Sequence, residues 1–303
     1  MMDQAEKLRQ VIDNLRLKQA VNQTSAPIPK VKRTARVITV TSGKGGVGKT
    51  NITINLAIAL SELGCRVVIM DADFGLANID VLFGIIPKFT LVDVIKNRKS
   101  ILEILSEGPK NIKFISGGSG VEELIKLDRL QVLRFVENMA LLDKLADIII
   151  VDTGAGLSEN VMSFVMAADE VLLITTPEPT SITDAYALIK TVSNRDKTKK
   201  IKVIVNKTEN NNEANDILNK LILVSEKFLG IALEPTGYIL RDEAVAKAVK
   251  QQQPFLLSFP KSQAARNIRE ISIKLTESGK GGDIPQSAGI RGFLNRLVGF
   301  MRV

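Results

Sequence analysis

The chain has 303 residues, 45% of them hydrophobic, which is enough for one large α/β core or two small domains, and no apolar run approaches the ~20 residues of a membrane span. One cysteine, Cys65, and no histidine exclude a disulfide framework and histidine acid–base chemistry, and leave almost nothing for a zinc or iron–sulfur site. The net charge of +8 comes from the two ends, because residues 37–288 carry no net charge, which argues against a broadly basic nucleic-acid-binding body.

The first twenty residues have the pattern of a short amphipathic helix. Ala5, Leu8, Ile12 and Leu15 are spaced by three and four residues. The opening MMDQAEKLRQ has acids and amides where a signal peptide has its apolar stretch, so we expect a cytoplasmic protein. Residues 21–35 are polar, contain two prolines and predict a linker. Residues 1–20 are therefore predicted to be a separate partner-binding helix.

The main domain is predicted to span residues 36–277. Here continuous β-branched runs alternate with helical segments, a pattern typical of a parallel sheet covered on both faces. The sequence therefore predicts an α/β fold with a doubly wound, mostly parallel sheet and helices on both faces. The predicted strands are RVITVTS, CRVVIMD, NIKFIS, DIIIVDT, EVLLITT, KVIVNK and GYIL.

A phosphate-binding loop follows the first strand and precedes a helix. Glycines at this position let successive backbone N–H groups surround phosphate oxygens, and the helix N-terminus adds its dipole. Lys49 supplies a charge to the phosphates, and the Thr50 hydroxyl is a ligand for magnesium. ATP and Mg²⁺ are the predicted cofactors. The predicted loop residues are Gly43, Lys44, Gly45, Gly46, Val47, Gly48, Lys49, Thr50 and Asn51.

Carboxylates end two of the other predicted strands. Alternation places Asp71 and Asp73 on one side at the end of CRVVIMD, and DIIIVDT ends at Asp152. Ligands of open α/β sheets bind at the carboxyl ends of the strands, so these aspartates are candidate site residues. The alternative is that each aspartate caps the helix that follows it.

The loop KGGVGKT, with its second lysine, resembles the deviant Walker A motif of the MinD/ParA ATPases. The resemblance implies that Lys44 reaches the phosphates of a partner subunit in an ATP-dependent homodimer. It also implies that Asp73 orients or activates the attacking water, that Asp71 supports the water and magnesium shell, and that Asp152 holds magnesium through water. The predicted catalytic set is Lys44, Asp73, Asp71 and Lys49, and the predicted metal residues are Thr50 and Asp152. By the same resemblance, Asn206, Lys207 and Asp242 contact the adenine base of ATP. Asp242 could equally be the N-cap of the next helix.

The C-terminal residues 290–303 are predicted to form a separate amphipathic helix after a flexible, glycine-rich tether over 278–289. Basic residues beside an apolar stripe suit an anionic membrane surface, in which such a helix lies rather than spans. We expect ATP-driven dimerisation to strengthen this contact by avidity and to bring the protein to the inner face of the cell membrane. The alternative is a helix folded back onto its own domain or onto a dimer partner. The predicted membrane-facing residues are Ile290, Phe293, Leu294, Leu297, Val298 and Met301.

The N-terminal segment DQAEKLR resembles the DQAxxLR activator segment of the FlhG family, also called FleN or YlxH, MinD-type ATPases that control flagellar number and placement. The resemblance implies that the segment binds the GTPase FlhF and stimulates GTP hydrolysis. It also implies contacts with flagellar switch-ring proteins or a flagellar transcription regulator. A disordered basic arm is the alternative. The residues carrying the resemblance are Asp3, Gln4, Ala5, Leu8 and Arg9.

Two other functions share the core motifs. A ParA-like DNA-partition ATPase would coat DNA and require a basic body, whereas residues 37–288 are neutral. A MinD-like regulator of the division site ordinarily begins at its first strand, so residues 1–35 favour the flagellar branch. The sequence therefore predicts a slow regulatory ATPase whose dimer is the signalling form.

Overall fold

The structure, a computed structural model, describes residues 34–73, 78–118, 123–124, 126–277 and 288–301. They contain one eight-stranded sheet in the order β3-β4-β2-β5-β1-β6-β7-β8. Neighbouring strands are parallel except for β3, which is antiparallel to β4. The strands are β1 Arg36–Thr41, β2 Val67–Ala72, β3 Ser106–Glu107, β4 Lys113–Ile115, β5 Ile148–Thr153, β6 Glu170–Thr175, β7 Lys200–Thr208 and β8 Leu233–Leu240.

Helices pack on both faces of this sheet, as the sequence predicts. On the face covered by the helix after the phosphate loop, Ile38 and Val40 of β1 join one apolar cluster. On the opposite face Val37 joins another. The helices are α1 Lys49–Glu62, α2 Asn78–Phe83, α3 Leu91–Ile95, α4 Ile101–Ile104, α5 Arg129–Met139, α6 Leu142–Leu145, α7 Glu159–Ala167, α8 Pro179–Arg195, α9 Asn211–Val224, α10 Glu243–Lys250, α11 Phe255–Ser258, α12 Gln263–Glu277 and α13 Gly289–Met301.

The strand order positions the site. Because β2, β5 and β1 are adjacent, their carboxyl ends bring Asp71, Asp152 and the phosphate loop to one edge of the sheet. The predicted strand GYIL is only the second half of β8, which begins at Leu233 and includes Pro235. A proline is tolerated there because β8 is an edge strand, paired only with β7.

The terminal helix α13 forms as predicted but lies on the domain itself. Four of the proposed membrane-facing residues, Ile290, Phe293, Leu294 and Leu297, are at most 1% exposed. Val298 is also buried, and Met301 packs against the same cluster. The Phe293 ring lies 6.2 Å from that of Phe164 in α7.

In this structure the stripe thus faces the domain, as in the folded-back alternative, and its contact with a membrane stays a prediction. The physical reason is that each buried Leu or Phe side chain gains roughly 2 kcal/mol on leaving water, and α5, α6, α7 and β1 supply the apolar surface. Within the described ranges, no helix is both long and apolar enough to cross a bilayer.

Candidate nucleotide-binding site

The phosphate loop connects β1 to α1, in the strand–loop–helix context that the motif requires. Gly46 and Gly48 have φ angles of 77° and 99°, a left-handed conformation that favours glycine. Gly48 is also the N-cap of α1, so the free N–H groups of the first turn point toward the loop. A side chain at Gly43 would collide with the backbone of Asp184 in α8. The loop therefore has the backbone geometry of an anion cradle.

Lys49 opens α1 and is only 9% exposed. Burial lowers the pKa of its ammonium group, while the charges of Asp152 and Asp73 act in the opposite direction. A buried cation whose neighbours are carboxylates is well placed to receive the negative charge of a triphosphate. The predicted role of Lys49 fits this environment.

Lys44, the second lysine of the loop, is held by its own subunit. Its Nζ donates hydrogen bonds to Oε2 of Glu178 at 2.8 Å and to Oγ1 of Thr180 at 2.9 Å. Glu178 is the N-cap of α8, and Thr180 lies in its first turn. The sequence reasoning missed both partners, although Pro179 directly after Glu178 is a signal for a helix start.

Asp71 and Asp152 are direct partners in the pairing of β2 with β5. Asp71 Oδ1 accepts a hydrogen bond from Asp73 N at 3.0 Å, and Asp152 Oδ1 accepts one from Thr53 Oγ1 at 3.2 Å. Burial is the main cause that raises the pKa of Asp71 to about 8 and that of Asp152 to about 6. The Thr50 hydroxyl, also bonded to Asp152, opposes that shift. The sequence reasoning did not identify Thr53.

This acidic cluster fits hydrated magnesium. The second carboxylate oxygens of Asp71 and Asp152 are buried and have no hydrogen-bond donor among the residues that the structure describes. Unpaired buried carboxylate oxygens are costly unless a cation or ordered water contacts them. No group of three or more acidic or cysteine side chains in the described ranges could hold a metal directly. Contacts through water, with the Thr50 hydroxyl as the protein ligand, agree with this donor set.

Asp73 directly follows β2 and lies near the end of the neighbouring strand β5. It lines a cleft of about 260 Å³ with Gly154, Ala155 and Ser158. Gly156 N donates to Ser42 O at 2.9 Å, which ties the loop after β5 to the phosphate loop. The structure thus brings Asp73 beside the loop that follows Asp152, and its action on water at the γ-phosphate stays a prediction.

Asn206 and Lys207, the predicted base contacts, both contact the back of the phosphate loop. Asn206 Nδ2 donates to Val47 O at 2.7 Å, and Lys207 Nζ donates to Gly46 O at 2.9 Å. Lys207 has a φ of 60°, an uncommon conformation for a residue with a side chain. These contacts place both side chains at the loop, and their contact with a base stays a prediction.

Asp242 has the structural role that the sequence left open. Its Oδ1 accepts a hydrogen bond from Ala244 N at 2.9 Å, which makes it the N-cap of α10. Its Oδ2 accepts one from Ala264 N at 3.1 Å. Because both oxygens already bind backbone N–H groups, the arrangement favours the cap over the predicted adenine contact.

Three predicted segments lie wholly or mostly outside the described residues. The proposed activator residues Asp3, Gln4, Ala5, Leu8 and Arg9 lie before residue 34, where the described part of the chain begins. The linker over 21–35 is described only at its last two residues, and the tether over 278–289 only from residue 288. The roles assigned to these segments stay predictions.

Comparison with known proteins supports the assignment of a nucleotide-binding site. The sequence profile of the CobQ/CobB/MinD/ParA nucleotide binding domain matches residues 38–255. The antiactivator FleN of Pseudomonas aeruginosa is 42% identical over 267 residues, covering 87% of this chain and 93% of that protein. The flagellum site-determining protein YlxH of Helicobacter pylori is 34% identical over 275 residues, covering 89% and 92%.

Solved structures show the same fold. The septum site-determining protein MinD of Pyrococcus horikoshii, in complex with Mg-ADP, superposes with a TM-score of 0.66 at 23% identity, covering 81% of this chain and 98% of that one. In the present chain the phosphate loop lies at the carboxyl edge of a mostly parallel, eight-stranded sheet. The chain therefore belongs to the CobQ/CobB/MinD/ParA nucleotide-binding family, as a MinD/ParA-type ATPase domain.

Proposed function

We propose that this protein is an ATP-dependent, dimerising ATPase switch that regulates the number or placement of flagella. The observation that carries the proposal is its similarity to FleN and YlxH over most of both chains. The site supports the ATPase half of the proposal, because the phosphate loop, Lys49 and the aspartate cluster lie together at one edge of the sheet.

Hydrolysis is proposed to be slow and regulatory. The phosphate loop and Lys49 bind and orient the triphosphate, and Asp73 orients the attacking water. Bound through Thr50 and, by way of water, Asp152, magnesium would supply charge neutralisation at the phosphates. Asp71, whose Oδ1 accepts the hydrogen bond from Asp73 N, would support this shell with its other carboxylate oxygen.

Dimerisation is proposed to complete the site. Lys44 would leave Glu178 and Thr180 and contact the phosphates bound by the partner subunit, a cation supplied in trans. The cost is low, because the Lys44–Glu178 ion pair is substantially exposed, at 40% and 60% of the two side chains, and solvent screens such pairs. The ATP-bound homodimer is then the signalling state.

Membrane association is proposed to require release of α13. Its apolar stripe is buried on the domain, so it can face a membrane only after leaving this position. Apolar side chains are removed from water in both places, which makes the exchange feasible. Two released helices in one dimer would bind an anionic membrane surface at the inner face of the cell membrane with added avidity.

The remaining partners follow from the N-terminal segment and from the relatives. Asp3, Gln4, Ala5, Leu8 and Arg9 would bind the GTPase FlhF and stimulate its GTP hydrolysis, as a short amphipathic helix docking in a groove. Flagellar switch-ring proteins or a flagellar transcription regulator would be the downstream targets. Binding of a specific nucleic acid is not part of the proposal.

The decisive experiment is GTP hydrolysis by purified FlhF, with and without a peptide of residues 1–20 and with its Gln4→Ala version. We expect stimulation that depends on Gln4, and full-length protein should stimulate in the same way. Absence of stimulation by both would refute the FlhF role and return septum-site regulation, the function for which the MinD relatives are named, as the alternative.

A further inference from the structure

Helix α13 is held on the domain by polar contacts as well as by its apolar stripe. The Arg296 guanidinium donates from Nε to Ala167 O at 2.8 Å and from Nη2 to Asp169 Oδ1 at 2.9 Å. At the start of the helix, Ile290 N donates to Asp143 Oδ1 at 3.0 Å. The apolar stripe is removed from water in both positions, on the domain and on a membrane. These polar contacts therefore make a large contribution to the free-energy difference between the two positions.

The carboxylate that binds Arg296 would keep a donor if α13 left. Asp169 Oδ2 also accepts a hydrogen bond from Val37 N, at 3.3 Å. Lys199 lies close by and donates from Nζ to the carbonyls of Met166 and Ala168 at the end of α7. A carboxylate that retains a backbone donor and a nearby cation does not become an unpaired buried charge, which would be the expensive outcome.

Lys199 also makes the place of Arg296 less favourable. Burial is the main cause that lowers the pKa of the Lys199 ammonium group; the charge of Asp196 opposes it, the positive charge of Arg296 lowers the pKa further, and Asp169 again raises it. Two cations therefore lie at one helix end, where both are near Asp169. Departure of Arg296 would remove this repulsion and leave Lys199 with Asp196 and Asp169.

The guanidinium released in this way requires an anion of its own. Arg296 directly precedes Leu297 of the buried stripe, and residues 289–303 contain no acidic side chain. A guanidinium binds phosphate oxygens with two parallel hydrogen bonds, and basic residues beside an apolar stripe lie at headgroup level in a membrane surface.

We propose that Arg296 exchanges Asp169 for a phosphate of an anionic phospholipid headgroup when α13 moves from the domain to the membrane. Asp169 and the lipid phosphate thus compete for one side chain, and the Arg296–Asp169 pair sets how readily the helix is released. This proposal rests on the proposed membrane association and assigns the residue that controls it.

The first test is hydrogen exchange of the amides of residues 289–301 without nucleotide or lipid. Asp169→Asn and, from the other side of the contact, Arg296→Gln should each speed exchange by roughly five-fold or more, as expected from loss of a charge-assisted hydrogen bond. Arg291→Gln is the matched control, because Arg291 is exposed and forms no hydrogen bond or ion pair with any residue that the structure describes. Exchange in Asp169→Asn and Arg296→Gln equal to that of the unaltered protein would overturn the proposal.

The second test separates the lipid from the docking contact. Asp169→Asn protein should bind phosphatidylglycerol vesicles without ATP about five-fold more than unaltered protein does, with no such gain on phosphatidylcholine vesicles. Adding Arg296→Gln in that background should remove most of the gain although the helix is already free. Retention of the gain in the double variant would assign the lipid contact elsewhere. If inorganic phosphate speeds hydrogen exchange of α13 in the unaltered protein as much as phosphatidylglycerol vesicles do, the anion is free phosphate. That result would overturn the assignment to a lipid.

The two proposals fail in different ways. If unaltered protein with ATP binds no vesicle and Asp169→Asn still speeds exchange, membrane association is wrong and the lipid half of the inference falls with it. If unaltered protein with ATP binds anionic vesicles but Asp169→Asn changes neither exchange nor ATP-free binding, membrane association stands and the exchange of partners by Arg296 is wrong.

Discussion

Lys44 Nζ donates a hydrogen bond to Glu178 Oε2 at 2.8 Å, so the lysine predicted to act on a partner subunit is bound to its own subunit in this structure. The pair joins the phosphate loop to the N-terminus of α8. The proposed contact of Lys44 with a partner's phosphates would require this hydrogen bond to break, and it would thereby connect nucleotide binding to subunit assembly.

Lys44→Ala should retain ATP binding, because Lys49 and the backbone cradle remain, but should lose ATP-dependent dimerisation. Sedimentation velocity with and without ATP measures this. Lys247→Ala, at an exposed position of α10, is the control and should dimerise normally. Unchanged sedimentation of Lys44→Ala with ATP would contradict a role in trans.

Glu178→Gln should have the opposite effect on assembly. It weakens the contact that holds Lys44 within its own subunit, and the ATP-dependent dimer should therefore form at a concentration lower by up to about five-fold, the range of an exposed ion pair. The same sedimentation assay tests this. A dimer weakened by Glu178→Gln would instead mean that Glu178 contributes to the dimer itself.

Asp73→Ala should trap the ATP-bound dimer by lowering the hydrolysis rate by roughly 10²-fold or more, the usual contribution of a group that positions or activates water. Phosphate release and sedimentation in the same samples measure both effects. Asp216→Ala, at an exposed position on α9, serves as the matched control. Normal hydrolysis by Asp73→Ala would mean that another group positions the water.

Asp71→Asn should stabilise the nucleotide-free protein increasingly as pH rises. Burial is the main cause that raises the Asp71 pKa to about 8, whereas an unfolded chain ionises near 4. The folded state therefore holds a proton that the unfolded state releases, and its stability falls between about pH 4 and pH 8. Asparagine does not ionise and removes this loss.

We expect the Tm advantage of Asp71→Asn to grow by several degrees between pH 5 and pH 8, since each kcal/mol corresponds to about 2–4 °C in a domain of this size. Thermal unfolding at a series of pH values without nucleotide or magnesium gives the measurement. Parallel Tm curves for the two proteins would show that Asp71 is not buried as a protonated acid.

Phe293→Ala should lower the free energy of unfolding by about 3 kcal/mol, because it opens a cavity between α13 and α7. Phe300→Ala is the control on the same helix, since Phe300 is 41% exposed and its loss should cost much less. Chemical denaturation of both variants makes the comparison. Equal stability of the two would mean that α13 does not pack on the domain in solution.

The sequence alone predicted seven of the eight strands and the phosphate loop, and it missed the two-residue strand β3 and the first half of β8. Local patterns define the predicted strands and the loop, because β-branched runs specify buried strands, and a glycine-rich loop between a strand and a helix has few other uses. The strand pattern also assigns Asp71 and Asp152 to one edge, because parallel strands end at the same edge of a sheet. These assignments require no knowledge of which distant surfaces meet.

Only the tertiary structure decided what the ambiguous side chains do. An apolar stripe has the same pattern whether it faces a membrane or a core, so Phe293 and Leu297 could not be assigned until α5 and α7 were seen to cover them. Lys44 proved to be bound by Glu178, whose position 134 residues away brings it near only in the folded chain. The cap contact of Asp242 with Ala244 is local and was foreseen as an alternative, but its second contact, with Ala264, was not. Hydrogen bonds between residues more than a hundred positions apart, such as Arg296 to Asp169, leave no periodic trace in a sequence.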